Sequence, residues 1–255
     1  MGRGRLGFEL LLGQVLDALP APPATVVDAG GGTGQLAVAL AGRGYRVTVV
    51  DTSAAMLATC AQRAADEGDE VVGRVATVQG DAADLPGLLG EASQDAAVCH
   101  DLLTRVEDQA ALVASLAGVL TEAGVLSLGF ANRDWLALRA GRRGDHASAL
   151  RLVEGGGGSG GLVSRPPGAG SEAVTLEEVE QQLDKAGLAL VAAYGVGVFA
   201  EAGDEDLGRS ERQRLVELER LVAGREPYRS SARTLHLIAR RRVFRPDLPG
   251  VGYDV

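Results

Sequence analysis

The chain has 255 residues, 46% hydrophobic and 23% charged, enough to bury one substantial core, and we read residues 1–255 as a single domain. Its 34 acidic residues against 25 basic ones leave a formal charge of −9, which argues against a general affinity for polyanions, because holding phosphates takes an excess of Arg or Lys on a surface. Cys60 and Cys99 are too far apart for a metal knuckle and too few for a disulfide framework, so neither a metal site nor secretion is expected. No apolar run approaches the roughly 20 residues that span a bilayer, and the expectation is a soluble, cytoplasmic protein with no membrane partner.

The start MGRGRLGFELLLGQVLDALP has an amphipathic pattern. Apolar, β-branched runs then alternate with helix-period segments, the signature of a parallel sheet with helices on both faces. Strands are predicted at Thr25–Ala29, Arg46–Asp51, about Val75–Gln79, Ala96–Cys99 and Val125–Phe130, with helices at about Gln35–Gly42, Ser53–Glu67 and Asp108–Leu120 between them. Ser53 reads as an N-cap. From Ala131 to Val174 the regularity fails: Trp135, several arginines, the run Gly155–Gly158 and Pro166-Pro167 predict an irregular insertion and a candidate lid. Thr175 and Glu178 form a capping box for a helix that ends near Gly187. Leu188–Tyr194 and Thr234–Ala239 are the last two strands, joined by a long connection with a helical stretch at Ser210–Val222. Arginines cluster at Arg139, Arg142, Arg143 and Arg151, and again at Arg225, Arg229, Arg233, Arg240, Arg241 and Arg242, runs that solvated faces also produce.

The strongest local signal is Val26-Val27-Asp28-Ala29-Gly30-Gly31-Gly32-Thr33-Gly34, a strand running into a glycine loop and a helix. Gly30, Gly32 and Gly34 let the main chain turn and approach a ligand, and the helix start presents free N–H groups. A nicotinamide dinucleotide requires a third glycine where Gln35 stands, and Asp28 would place a carboxylate near its pyrophosphate. The same carboxylate suits the cationic methionyl end of S-adenosylmethionine, and Asp51 can accept hydrogen bonds from both ribose hydroxyls. After the third strand, Gly80-Asp81-Ala82-Ala83-Asp84 could edge an adenine, or Asp81 and Asp84 could simply serve the turn. His100 at the end of the fourth strand contacts the cofactor, orients the acceptor or caps the strand. It is also the first candidate base, with Asp101 second, should the acceptor be a hydroxyl or an amine. No other catalytic residue is identified.

Asp28-Ala-Gly-Gly-Gly-Thr-Gly34, Asp51-Thr-Ser-Ala-Ala-Met56, His100 and Gly124-Val-Leu-Ser-Leu-Gly-Phe-Ala-Asn132 together resemble the bacterial tRNA 5-carboxymethoxyuridine methyltransferases. Gly195-Val-Gly-Val-Phe199, Leu218-Glu219, Arg225-Glu-Pro-Tyr228 and the strand around His236 resemble that family's ending. The resemblance implies the class I methyltransferase fold, α/β with a Rossmann-like, seven-stranded, mostly parallel sheet, and S-adenosyl-L-methionine as cofactor. It places Gly30, Gly31, Asp51, Ala82, Ala83 and His100 at cofactor contacts, and it implies the carboxylate of a modified wobble uridine as methyl acceptor. The family's cofactor-binding arginine falls on Gly7, which leaves Arg5 or Arg3 to substitute. Its lysine-rich segment is replaced by Gly155 to Gly161, and an arginine of its ending by Gly197, so an anionic small molecule stays open beside tRNA as the partner.

Overall fold

The computed structural model describes residues 5–155, 173–200, 204 and 207–242. Among them, seven strands form one sheet: β1 (Thr25–Ala29), β2 (Arg46–Asp51), β3 (Val75–Gln79), β4 (Gln94–His100), β5 (Leu120–Ala131), β6 (Leu188–Val196) and β7 (Thr234–Arg241), in the order β3-β2-β1-β4-β5-β7-β6. The first five pair in parallel, and β7 runs antiparallel to both β5 and β6. The strand order reverses between β1 and β4, and it is outside the carboxyl ends of strands at such a reversal that open α/β sheets bind their ligands.

The helices are α1 (Arg5–Ala18), α2 (Gln35–Ala41), α3 (Ala54–Asp66), α4 (Asp69–Val72), α5 (Leu85–Leu89), α6 (Gln109–Val119), α7 (Arg133–Arg142), α8 (His146–Val153), α9 (Leu176–Lys185) and α10 (Arg209–Val222). Successive strand residues face opposite sides, so each strand feeds two cores. Val27, Ala97 and Leu128 pack with Leu112 and Leu116 of α6 and Leu183 of α9. Val26, Val49 and Val98 pack on the other face with Val15 of α1, Leu40 of α2 and Leu57 of α3. The sheet is thus covered on both faces, as the near-continuous apolar strands require.

Local chemistry sets the helix starts. Ser53 accepts from the Met56 amide, Asp108 from that of Ala111, and Thr175 and Glu178 make the reciprocal capping box. The strand ends run longer than the sequence pattern suggested: β4 starts at Gln94, where the Asp95 carboxylate accepts both the amide and the hydroxyl of Thr25, and β5 starts at Leu120, directly where α6 stops. The stretch from 131 to 174 is not irregular throughout. Asn132 caps α7 by accepting from the Asp134 amide at 3.0 Å, and Asp145 caps α8 by accepting from Ser148 at 3.0 Å, two Asx signals hidden among arginines and glycines. Gly156–Gly158 and Pro166-Pro167 lie outside the described residues.

Asn132, fully buried, also donates through Nδ2 to the carbonyls of Ser230 (2.8 Å) and Ala232 (2.9 Å), tying the end of β5 to the segment that enters β7. Asn132→Ala removes a cap and strands two carbonyls in the interior. We expect it to lower unfolding free energy by about 2–4 kcal/mol in urea titrations, whereas a substitution that only lost an exposed cap would cost about 1 kcal/mol.

Candidate functional site

β1 delivers the chain into a loop whose Gly30, Gly32 and Gly34 have φ of 69°, 54° and 72°. The Gly30 amide donates to Val50 O at 2.7 Å and the Gly32 amide to Asp51 Oδ2 at 3.0 Å, so the loop is fastened to the tip of β2. Two glycines are required sterically. A Cβ on Gly31 would lie 2.6 Å from Asp28 Cγ and 2.9 Å from Val49 Cγ1, and one on Gly34, at positive φ, 2.2 Å from Cys60 Sγ. At Gly32 the opposite holds: a Cβ would meet nothing nearer than Asp51 Oδ2 at 3.9 Å, so this part of the loop faces open space beside the carboxylate.

Asp51 is held by two main-chain amides, Gly32 on Oδ2 and Ser53 on Oδ1 at 2.9 Å. A carboxylate has about four lone-pair sites, so each oxygen retains acceptor capacity for a ligand hydroxyl. Asp28 lies under the loop, only 4% exposed, with Oδ2 lacking a hydrogen-bond partner among the described residues. Burial pushes its carboxyl up to about 7; the Ala37 amide in the first turn of α2 opposes that rise, and the nearby Asp51 charge adds to it. A pyrophosphate on this loop would sit over that carboxyl. A cation above it would be favoured by the same group, so the residues present fit a ligand with a ribose and a positive end better than a dinucleotide.

After β3, Asp81 Oδ1 accepts the Ala83 amide at 2.9 Å, so Asp81 serves the turn and that N–H is not available to a ligand, while Ala82 is buried against the core. His100 ends β4, beside β1 across the order reversal, with Nε2 2.9 Å from Ser127 Oγ. Asp101 follows at φ 61°, its amide donating to Gly129 O at 2.9 Å, a left-handed turn in a non-glycine residue at the ligand edge. Arg5 starts α1, whose Leu6 packs on Val196 at the ligand-edge end of β6. Arg3 lies outside the described residues.

The register divides the second arginine cluster. Thr234 pairs with Ala131 and Val196 at the ligand edge, so Arg225, Arg229 and Arg233, which precede it, approach that edge, while Arg240, Arg241 and Arg242 end β7 on the far side, where Arg241 donates to Leu120 O. On the ligand side, Phe199 and Tyr228 are exposed with ring centroids 5.8 Å apart. The loop carrying Phe199 is fixed by Glu219, 1% exposed, whose carboxylate accepts from the amides of Val198 (3.2 Å), Phe199 (2.8 Å) and Ala200 (2.8 Å). The residue pattern carries a signal for it, since Glu219 interrupts the stripe Leu215, Val222 on α10. Among the described residues there is no group of three or more His, Cys, Asp or Glu able to hold a metal ion, and no helix is long and apolar enough to cross a membrane.

Two stability measurements probe this geometry. Gly34→Ala is expected to lose about 2–5 kcal/mol in denaturant titrations, combining a left-handed backbone cost with overpacking against Cys60, and a neutral result would contradict the loop path. Unfolded Asp28 titrates near 3.8 and native Asp28 near 7, so over that window the native state binds the extra proton and stability falls as pH rises. The loss is complete above about pH 7 and has a ceiling of about 4 kcal/mol. Asp28→Asn is therefore expected to gain on the wild type from pH 4 to 8 in urea unfolding, whereas a gap that ignores pH would mean that the carboxyl ionises in the folded protein as readily as in the unfolded chain.

A methyltransferase-domain family matches residues 27–128, from within β1 to within β5. Over 247 residues, 94% of this chain and 89% of the other, the sequence is 29% identical to tRNA 5-carboxymethoxyuridine methyltransferase of Escherichia coli K12. It is 33% identical over 112 residues to ubiquinone biosynthesis O-methyltransferase of Xanthomonas campestris, covering 44% of this chain and 45% of that one. In fold it is similar to geranyl diphosphate C-methyltransferase from Streptomyces coelicolor, solved in complex with Mg2+, geranyl diphosphate and S-adenosyl-L-homocysteine, with TM-score 0.58, 16% identity, and coverage of 91% of this chain and 77% of that one. The chain is an S-adenosylmethionine-dependent methyltransferase with the class I fold, and it resembles the bacterial tRNA 5-carboxymethoxyuridine methyltransferases.

Proposed function

We propose that this enzyme methylates a carboxylate oxygen, and that its acceptor is the carboxymethoxy group of a modified tRNA uridine. The observation that carries the reading is the reach of the similarity to the Escherichia coli enzyme: 94% of the chain, and so well past the methyltransferase-domain match at residues 27–128 into the elements that build the far rim of the site. In this reading the loop at Gly30, Gly31, Gly32 and Gly34 cradles the cofactor, and Asp51 takes its ribose hydroxyls. Asp28 supplies negative charge from below, and the main chain at Ala82 and Ala83 borders the adenine. Arg5, at the start of α1, is the candidate for the cofactor-binding arginine. The bound cofactor supplies a methyl group on a sulfonium, an electrophile that leaves a neutral thioether behind.

What remains for the protein is alignment. A carboxylate is ionised at neutral pH and needs no base, so holding it in line and keeping water away can supply much of the rate, with about 7–11 kcal/mol available from orientation in model systems. Arg225, Arg229 and Arg233 attract an anionic acceptor to the rim, although Arg229 already pairs with Glu226 at 2.6 Å. The exposed rings of Phe199 and Tyr228 offer a stacking surface of the kind that splayed RNA bases use. We read the whole chain as one methyltransferase domain in which α7 and α8 belong to a lid over the acceptor, since α7 starts at the ligand end of β5. A tRNA acceptor places the enzyme in the cytoplasm.

A second reading, a methyltransferase of small molecules, is favoured by the formal charge of −9 and by the 33% identity to the ubiquinone enzyme. Purified protein incubated with methyl-labelled cofactor and separate RNA and metabolite fractions decides between them. We expect an alkali-labile labelled ester on a tRNA nucleoside in mass spectrometry, and label confined to metabolites would establish the second reading. Asp51→Ala is expected to weaken S-adenosylmethionine binding at least about tenfold in calorimetry, the loss of two hydroxyl contacts to an ionised acceptor, and an unchanged affinity would remove the pocket assignment.

A further inference from the structure

The arginines that precede β7 at the ligand edge differ in what surrounds them. The Arg229 guanidinium is committed to Glu226, donating from Nε to Oε1 at 2.8 Å. Arg225 is exposed, where solvent and salt screen its charge. Arg233 is half-buried, and among the described residues its guanidinium has no carboxylate partner and no hydrogen bond. The carboxylates of this rim are used elsewhere: Glu219 accepts the amides of the loop after β6, and Glu226 holds Arg229 and the Ser230 amide. A cation partly withdrawn from water with no counter-ion costs stability until an anion pairs with it.

The main chain fixes where Arg233 stands. Its amide donates to Gly197 O at 3.2 Å and its carbonyl accepts from the Asn132 amide at 3.1 Å, so it is held between the ends of β5 and β6. His236, three residues on, pairs with Gly129, which pairs with His100. Strand geometry then sets Arg233 about 10 Å beyond the level of His100 and, two strands across, about 10 Å to its side. That is the stretch of ligand edge left once the glycine loop and the tip of β2 are given to the cofactor. The side chain lies against Gly197, which has φ 76°: a Cβ there would meet Arg233 Cβ and Nε at 3.6 Å and Cζ at 3.9 Å, and nothing nearer. Glycine at 197 therefore leaves the guanidinium uncovered on that side.

We propose that Arg233 recognises the carboxylate of the methyl acceptor, its guanidinium fork taking the anion while the exposed rings of Phe199 and Tyr228 flank the group that carries it. This assignment rests on the carboxylate-acceptor reading given above. A planar fork of N–H donors matches a carboxylate in two parallel hydrogen bonds, a fit that a lysine does not reproduce. An ester has no negative charge, so the contact that gathers the acid does not retain the methylated product. Because the contact is made to the ground-state anion, its loss is felt in KM for the acceptor more than in kcat.

Gly197 supplies a paired test, since Asp and Asn share a shape and both enter the left-handed region more readily than most residues. Gly197→Asp sets a fixed counter-ion beside Arg233, and its KM for tRNA bearing 5-carboxymethoxyuridine is expected at least about tenfold above that of Gly197→Asn, at similar kcat. In filter binding without cofactor, the wild type is expected to prefer that tRNA about tenfold over the same tRNA bearing 5-methoxyuridine, and Arg233→Gln to lose the preference. Arg233→Gln should still bind S-adenosylhomocysteine in calorimetry, and loss of that binding would make Arg233 a structural residue and overturn the assignment. A wild type without the preference, or an Arg233→Gln protein that keeps it, also overturns the assignment; in the second case equal weakening of both RNAs marks a phosphate contact. Equal KM values in the two Gly197 variants overturn it independently. If the wild type labels metabolites and leaves tRNA unlabelled, the tRNA reading falls by itself. The assignment then stands if the labelled products are esters formed less readily by Gly197→Asp than by Gly197→Asn, and falls if they are not.

Discussion

The hydrogen bond from the Gly32 amide to Asp51 joins two elements that the rest of the ligand edge depends on, the glycine loop and the tip of β2. Held also by Ser53, the carboxylate is fixed at both oxygens beside the open side of Gly32. Burying Asp28 beneath Gly31 is the cost of this arrangement: an ionisable group with an unmatched oxygen is kept in the interior, and its carboxyl is pushed up to about 7. A positive charge placed over the loop would offset that cost.

The far side of the site is assembled by buried polar side chains that act on main chain. Asn132 fastens β5 to the approach to β7, and Glu219 gathers three amides of the loop after β6. Irregular backbone at a binding rim needs such partners, because loop amides and carbonyls turned away from water are otherwise unsatisfied. With those clamps in place, Phe199, Tyr228 and the arginines before β7 are presented from a rigid base. The negative total charge of the chain therefore says little about this rim, where cations are collected on one side of one strand and the remaining arginines are used at the opposite end.

Much of the frame was legible before any coordinates. Asp28, the glycine loop and Asp51 stand at strand ends because alternating strand and helix periods, with glycine at the turns, leave few other ways to fold. The capping residues Ser53 and Thr175 were readable for the same reason, since a cap is a bond between residues two or three apart. The helices α7 and α8 were hidden although their Asx caps are as local, because arginine and glycine on either side weaken the apolar period that a helix is recognised by.

By itself the sequence determined the strand order of events along the chain, the loop, and the carboxylate at the end of β2, all of them consequences of interactions within a few residues. Only the tertiary structure decided that Asp28 lies under the loop, that Arg5 stands at the β6 side, and that the arginines from 225 to 242 part to opposite ends of β7. It alone decided that Ser127 and His236, 109 residues apart, are hydrogen-bonded. The physical reason is register: two side chains on distant strands become partners only when the pairing of the intervening strand sets them on the same face at the same height, and no local spacing records that.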